Sequence, residues 1–394
     1  MERLIKISQQ RIKVIKGDFV RYLHDEIDWN SRLSIITGAR GVGKTTLLLQ
    51  QLKTTTAQSI YLSLDDFYFE QNRLLLLVED LYEKGYRNFY LDEVHQYPYW
   101  SADLKNMYDN LHDAKFVATG SSVLKINQGQ ADLSRRANNY ILKGLSFREF
   151  LALHYNKNFP VLPLEEILHH HHQLSPNLND AFDSLKLFKQ YLSIGYYPFS
   201  KEEHSFFHQK LQQILQLITE VDIPNVEAIN YSTIRSLRKL LYIISQSVPF
   251  TPNIQSLSEK VGIPRNSILK ALDLLERGQI INLLRSQNKG VSYLQKPEKI
   301  YLENTNLAFT LAGDTPNAGN LRETFFFNQM SVKHDLSSSR FGDFMINNTY
   351  TFEIGGAGKT SRQIKGIPLS FMAADGIKNG ESNKIPLWLF GFLY

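Results

Sequence analysis

The sequence predicts an α/β chain: a parallel sheet wrapped by crossover helices in the first 150 residues, then helical and mixed α+β segments. Three observations predict it. From Leu33 to about Phe150 short apolar runs alternate with helical stretches, the pattern of strands buried on both faces. Residues 38–45 read Gly-Ala-Arg-Gly-Val-Gly-Lys-Thr, a complete G-x-x-x-x-G-K-S/T phosphate loop directly after the apolar run 33–37. A second short apolar run, Phe89-Tyr90-Leu91, ends in the acidic pair Asp92-Glu93.

Taken in order, residues 1–30 read as a helical lead-in packed beside the sheet, and strands are expected at 33–37, 59–64, 89–91, 115–119 and 140–142. In the loop, the backbone N–H groups of Gly38, Ala39, Arg40, Gly41, Val42 and Gly43 curl around an anion at the start of a helix that opens with Lys44, Thr45 and Thr46. Lys44 is placed to reach the β- and γ-phosphates of a nucleotide, and the Thr45 hydroxyl to ligate Mg²⁺. Asp92, at a strand's carboxyl end, suits Mg²⁺ through water, and Glu93 suits activation of the attacking water. Ser121 or Ser122, after the run 116–119, is placed to sense the γ-phosphate. Arg135 and Arg136 precede the fifth strand and offer charge to a phosphoryl transition state, in cis or from a neighbouring subunit. The second case implies a homo-oligomer.

Residues 160–230 turn helical, with Leu211, Ile214, Leu215 and Ile218 on one face, and read as a lid or connector. Asn253 then caps a helix carrying Leu257 and Val261, Gly262-Ile263-Pro264 turns the chain, and residues 266–277 form a helix facing inward through Ile268, Leu269, Leu272 and Leu275. Runs at 280–284 and 291–294 complete a winged helix-turn-helix, with Arg265, Asn266, Ser267 and Lys270 exposed to DNA phosphates or base edges. Protein docking is the competing use of such a module.

In the last hundred residues a hairpin at Asn347-Asn348 joins 341–346 to 349–354. Glu323 on a helix, Asp343 and Glu353 on the hairpin strands bring three carboxylates to one sheet edge, the layout of a Mg²⁺-dependent nuclease site. Gly355 stands where a lysine is usual, with Lys359 the nearest substitute, which favours a vestigial metal site over active cleavage. Residues 169–172, four histidines following Glu165 and Glu166, read as a solvated helix with intrahelical pairs. Residues 355–360 mimic the end of a phosphate loop, but Glu353 occupies the first glycine position.

Composition narrows the setting. At 394 residues and 43% hydrophobic the chain has material for two or three cored domains, and a net charge of +5 permits a nucleic-acid face without requiring one. The lack of cysteine excludes disulfides and Cys-based metal sites and suits a reducing cytoplasm. No apolar stretch approaches the ~20 residues of a membrane span, so a cytoplasmic protein with no membrane partner is expected. The apolar end, residues 385–394, reads as a buried final strand.

Gly-Ala-Arg-Gly-Val-Gly-Lys-Thr-Thr (38–46), Phe-Tyr-Leu-Asp-Glu-Val-His (89–95), Thr-Gly-Ser-Ser (119–122), Gly-Leu-Ser-Phe-Arg-Glu-Phe-Leu (144–151) and Gly-Asn-Leu-Arg-Glu-Thr (319–324), with the winged-helix segment, carry a resemblance. The chain resembles the prokaryotic AAA-type ATPases of the archaeal-ATPase-like class (AAA_14), whose C-terminal domain is catalogued as DUF4143. The resemblance implies a P-loop ATPase domain over 1–155, a helical connector over 156–230, a winged helix over 231–297 and a PD-(D/E)XK-nuclease-like domain over 298–394. It implies ATP and Mg²⁺ as ligands, and hydrolysis coupled to movement of the later domains. The rivals are a nucleotide-gated DNA-binding switch with little turnover, and a metal-dependent DNA nuclease effector.

Overall fold

Five proline-free runs, Leu33–Thr37 (β1), Ser59–Ser63 (β2), Asn88–Asp92 (β3), Lys115–Gly120 (β4) and Asn138–Ile141 (β5), pair in parallel in the order β2-β3-β4-β1-β5. The computed structural model describes every residue except 16, 56–57, 121–132, 203, 227–230, 247–250, 287–295 and 314–315. It divides into two compact units, Met1–Gly144 and Leu145–Tyr394.

In the first unit the strands are the expected ones, shifted by one or two residues at their ends. β1 is buried at all five positions, as a central parallel strand must be. Helices Lys44–Thr54, Leu74–Glu83 and Trp100–Asn110 make crossovers, and the lead-in helix Glu2–Val14 reaches β2 through Ser8, whose Oγ accepts the Tyr61 N–H at 3.0 Å. Leu4 of that helix joins one core with Leu33, Ile60, Leu62, Phe89 and Phe116. The strand order sets the site: β4 lies between β1 and β3, so the carboxyl ends that carry the phosphate loop, Thr119 and Asp92 are neighbours.

The second unit begins with a capping box. Ser146 Oγ accepts from Glu149 N at 3.1 Å, and Glu149 Oε2 accepts from Ser146 N at 3.2 Å, starting helix Phe147–Tyr155. The Phe147 ring then meets Phe150, Phe182, Phe188, Tyr191 and Phe392. The Leu-Ser-Phe-Arg-Glu-Phe stretch thus helps build this unit's core.

Helices Leu164–Ala181, Ser184–Gln190 and Phe207–Leu217 follow, then Tyr231–Gln246, Ile254–Val261 and Arg265–Arg277. The last leads into an antiparallel pair of Ile281–Leu284 (β6) with Lys299–Leu302 (β7). The strand expected at 291–294 lies outside the described residues; β6 pairs with β7, across the expected boundary at 297/298. Helices Thr305–Ala312 and Ala318–Met330 precede a mixed sheet of Leu336–Ser338 (β8), Phe344–Ile346 (β9), Tyr350–Gly356 (β10), Ser370–Asp375 (β11) and Lys384–Pro386 (β12). β8, β9 and β10 run antiparallel, while β10, β11 and β12 run parallel. The β9–β10 turn is the expected Asn347-Asn348, both left-handed at φ 51° and 54°.

One expectation fails here. Residues 385–394 are buried but do not form a long final strand: β12 stops at Pro386, and Leu387–Phe392 is a 3₁₀ turn. Pro386 ends the ladder for want of an N–H, and a run buried on every side has no solvent face for alternation to serve. The histidine run sits on helix Leu164–Ala181 as read, with His169 Nε2 3.6 Å from Glu165 Oε2 one turn earlier. His171, however, turns into the core at 3% exposure, and burial lowers its pKa from the ordinary 6.5.

Candidate nucleotide site

The phosphate loop takes its shape from three glycines. Gly41 and Gly43 adopt φ of 87° and 99°, open at low cost only to glycine, and a Cβ on Gly38 would overlap the Leu142 carbonyl. Gly43 hands the chain to helix Lys44–Thr54, whose first N–H groups face the loop. Lys44 is 5% exposed, and its Nζ donates to the Gly38 and Ala39 carbonyls at 2.9 Å each. Arg40 is half-buried, Val42 buried and Thr46 exposed.

Asp92 is the centre of the polar network. At 2% exposure its carboxylate accepts from Thr45 Oγ1 at 2.7 Å and Tyr61 OH at 2.9 Å on Oδ2, and from Glu93 N at 3.1 Å and the Thr119 hydroxyl on Oδ1. Four donors satisfy a carboxylate that burial alone would penalise. Burial, and then the Asp92 charge, pushes the Tyr61 phenol well above its ordinary range, so it stays a donor. A hydroxyl and a carboxylate 2.7 Å apart beside a helix N-terminus are hard oxygen donors of the kind Mg²⁺ takes, so Thr45 and Asp92 fit the ion.

Glu93 follows directly in a left-handed conformation, φ 51°, which for a non-glycine residue costs about 1–3 kcal/mol. Its Oε2 lies 3.3 Å from Nδ1 of the buried His95, and its carbonyl accepts the Gln96 N–H at 2.9 Å. The turn of the backbone separates Glu93 from the Asp92 network and leaves its carboxylate partly exposed at the strand's carboxyl end.

Gly38 to Thr46, Asp92 and Glu93 are therefore brought to one edge of the sheet. The arginines are not. Arg135 and Arg136 precede β5 and so sit at the amino edge, a strand length of roughly 13 Å from the loop end. Arg136 is also held bidentate by Asp109, Nε to Oδ1 at 2.8 Å and Nη2 to Oδ2 at 3.0 Å. Ser121 and Ser122 lie outside the described residues.

Three residues were missed in the sequence. Thr119 stood inside a quoted motif whose later serines drew the attention. Tyr61 was detectable only through register: Ser63 pairs with Asp92, and Tyr61 lies two residues back on the same face. Arg21 had no motif at all; outside the set of groups that hold the nucleotide, it is 4% exposed and supports the loop by donating to the Val42 carbonyl at 2.6 Å.

The three C-terminal acids do converge, but around lysines. Lys299 Nζ, from β7, donates to Glu323 Oε2 at 3.0 Å and Asp343 Oδ1 at 2.9 Å, Tyr301 OH donates to Glu323 Oε2 at 2.7 Å, and Lys359 pairs with Glu353. The Lys359 stem crosses Gly355, where any Cβ would collide with it. Among the described residues no group of three His, Asp or Glu side chains is arranged to hold a metal ion. Lysine ammonium groups sit against the carboxylates of Glu323, Asp343 and Glu353, which together form an ionic hub.

Burial first, then Asp343, raises the Glu323 pKa above 4.5, and burial raises that of Glu353. An acid with a raised folded pKa contributes stability below its ordinary value and loses it as pH rises through the folded value. Lys299→Met leaves the buried Glu323 and the half-buried Asp343 without their cation, so we expect a loss of about 3 kcal/mol at neutral pH. Hydrogen exchange along Ala318–Met330 should quicken roughly 100-fold. The deficit should shrink towards pH 5; unchanged exchange at pH 7 would deny the hub its role.

Residues 30–151 match the family model AAA_14, an AAA domain. This stretch is similar to AAA-type P-loop ATPase domains. It encloses β1 to β5, the phosphate loop and the Asp92 network. The expected DUF4143 domain is overturned: residues 185–318 match a different model, DUF8612, a domain of unknown function. An uncharacterised protein of Methanocaldococcus jannaschii is 27% identical over 314 residues, 73% of this chain and 63% of the relative. The chain thus spans less than two thirds of that relative's length. A Walker-type ATPase of Pyrococcus abyssi is similar at TM-score 0.45 and 14% identity, covering 75% of this chain and 96% of that one. The Thermotoga maritima RuvB protein gives 0.32 and 12%, covering 73% and 90%. No described helix is long and apolar enough to cross a membrane.

Proposed function

We propose that the protein is a Mg²⁺-dependent ATPase whose nucleotide cycle repositions its second unit. The observation that carries this reading is the 2.7 Å pairing of Thr45 with Asp92, set beside the buried Lys44 at the end of a left-handed glycine loop. The loop N–H groups bind the phosphates, and Lys44 exchanges its two carbonyl partners for β- and γ-phosphate oxygens. Thr45 and Asp92 hold the ion, which when bound supplies positive charge against those oxygens. Glu93 takes a proton as a water oxygen bonds to the γ-phosphorus and the bond to the bridging oxygen breaks, releasing ADP. Thr119 and Tyr61 keep the Asp92 carboxylate in place. A charge donated in trans falls to the exposed Arg135 of a neighbouring copy.

Two finer readings belong with it. Helices Tyr231–Gln246, Ile254–Val261 and Arg265–Arg277 with the β6–β7 pair support a winged helix, aided by the Asn253 cap at 3.1 Å and the Gly262 turn at φ 85°. Arg265, Asn266 and Ser267 are exposed at its third helix and suit DNA phosphates. Helix Ala318–Met330 with the antiparallel-then-parallel sheet β8–β12 supports a nuclease-like fold without metal chemistry. The lack of cysteine suits a reducing cytoplasm.

Calorimetry with Mg-ATP tests the central claim. The parent should bind, and Lys44→Ala should lose at least about tenfold in affinity with the loss of a charge-assisted contact. No heat with the parent, or equal affinity in both, would overturn it.

A further inference from the structure

The phosphate loop is tied at both ends to one short segment, residues 142–144. At its start the Leu142 carbonyl fills the space a Cβ of Gly38 would need, and Leu142 N donates to the Thr37 carbonyl at 2.8 Å. At its end the buried Arg21 bridges: Nη1 donates to the Val42 carbonyl at 2.6 Å, while Nη2 donates to the carbonyls of Lys143 at 2.7 Å and Gly144 at 2.9 Å. Gly144 is the last residue of the first unit. The next residue is already fixed in the second, where Leu145 N donates to the Tyr196 carbonyl and Tyr191 OH to the Leu145 carbonyl, both at 2.7 Å. A single peptide bond therefore separates a segment pinned to the phosphate loop from a residue pinned in the other unit.

We propose that Arg21 is a positioning residue that passes the nucleotide state of the phosphate loop to the connector at residues 142–144, and so to the second unit. The inference rests on the nucleotide site proposed above and adds to it the path by which occupancy is read. The guanidinium is a planar fork of fixed geometry, so a carbonyl that moves at Val42 must be followed at Lys143 and Gly144 or the bonds are lost. The Lys44 ammonium and the loop N–H groups are the groups a polyphosphate recruits, and Lys44 donates here to the carbonyls of Gly38 and Ala39 in that same loop. Rearrangement of the loop carbonyls on binding is what the fork would transmit. Lysine does not replace it, because its single nitrogen cannot reproduce two nitrogens that bond Val42 on one side and Lys143 and Gly144 on the other.

Full-length parent, Arg21→Met and Arg21→Lys are compared by calorimetry with Mg-ATPγS and by hydrogen exchange of the peptide covering 142–146, with and without that nucleotide. In the parent, nucleotide should change exchange there by about tenfold. Arg21→Met and Arg21→Lys should bind nucleotide within about fivefold of the parent yet lose most of that response. A full response at 142–146 in either variant overturns the proposal, as does a parent that binds nucleotide without any response there. Arg21→Met losing nucleotide binding that Arg21→Lys restores together with the response would mark simple anchoring and also overturn it. Failure of the parent to bind nucleotide at all instead removes the nucleotide site itself.

Discussion

Glu93→Gln is expected to bind Mg-ATP as tightly as the parent and to hydrolyse it about 10²- to 10⁴-fold more slowly, the range a positioned general base contributes. The substitution is nearly isosteric and leaves the Asp92 network intact, because Glu93 contributes only its backbone N–H to that carboxylate. The left-handed backbone at φ 51° is a property of the turn into Val94–Gln96 and is kept. Glutamine has the same length, so the side chain keeps its place beside His95 while losing the ability to take a proton. Phosphate release under single turnover reads the chemical step, and calorimetry reads binding. A variant that turned over at the parent's rate would move the base elsewhere, and one that failed to bind would show that Glu93 shapes the pocket instead.

The parts of this molecule legible in its sequence are those where one residue type has one physical use. A left-handed position such as Gly43 excludes nearly every other residue, and a buried strand such as β1 excludes polar ones, so loop and sheet are written almost literally. Asp92 and Glu93 were legible because a carboxylate at the end of an apolar run has no reason to be there except chemistry or capping. Tyr61 and Thr119 were not, since tyrosine and threonine are ordinary strand residues and only the register of β2 and β4 against β3 aims them at Asp92. For Arg136 the sequence showed the place in the chain, just before β5, but not the Asp109 partner that holds its guanidinium. The lysines at the C-terminal acids are a long-range fact of the same kind: Lys299 comes from β7, 24 residues before Glu323, and no local pattern announces it.

Asp92→Ala should be strongly damaging, because it removes an acceptor shared by four donors in a site 2% exposed. Thr45, Thr119 and Tyr61 hydroxyls can each rotate toward other acceptors, but the Glu93 N–H cannot. Each buried donor left unsatisfied costs about 1–3 kcal/mol, so a total near 3 kcal/mol is expected. Asp92→Asn separates the two consequences. It keeps an acceptor oxygen and most of the stability, but replaces half of the carboxylate with a donor that meets the Thr45 or Thr119 hydroxyl and carries no charge for the ion. Hydrolysis should therefore fall in both variants, whereas the melting temperature should fall mainly in the alanine one, by several degrees. Raising Mg²⁺ should recover part of the rate in Asp92→Asn, where Thr45 remains as a ligand, and none in Glu93→Gln, where the ion site is whole. Equal rates for parent and Asp92→Asn at low Mg²⁺ would mean that Asp92 serves the packing of the sheet edge and that the ion is held by other groups.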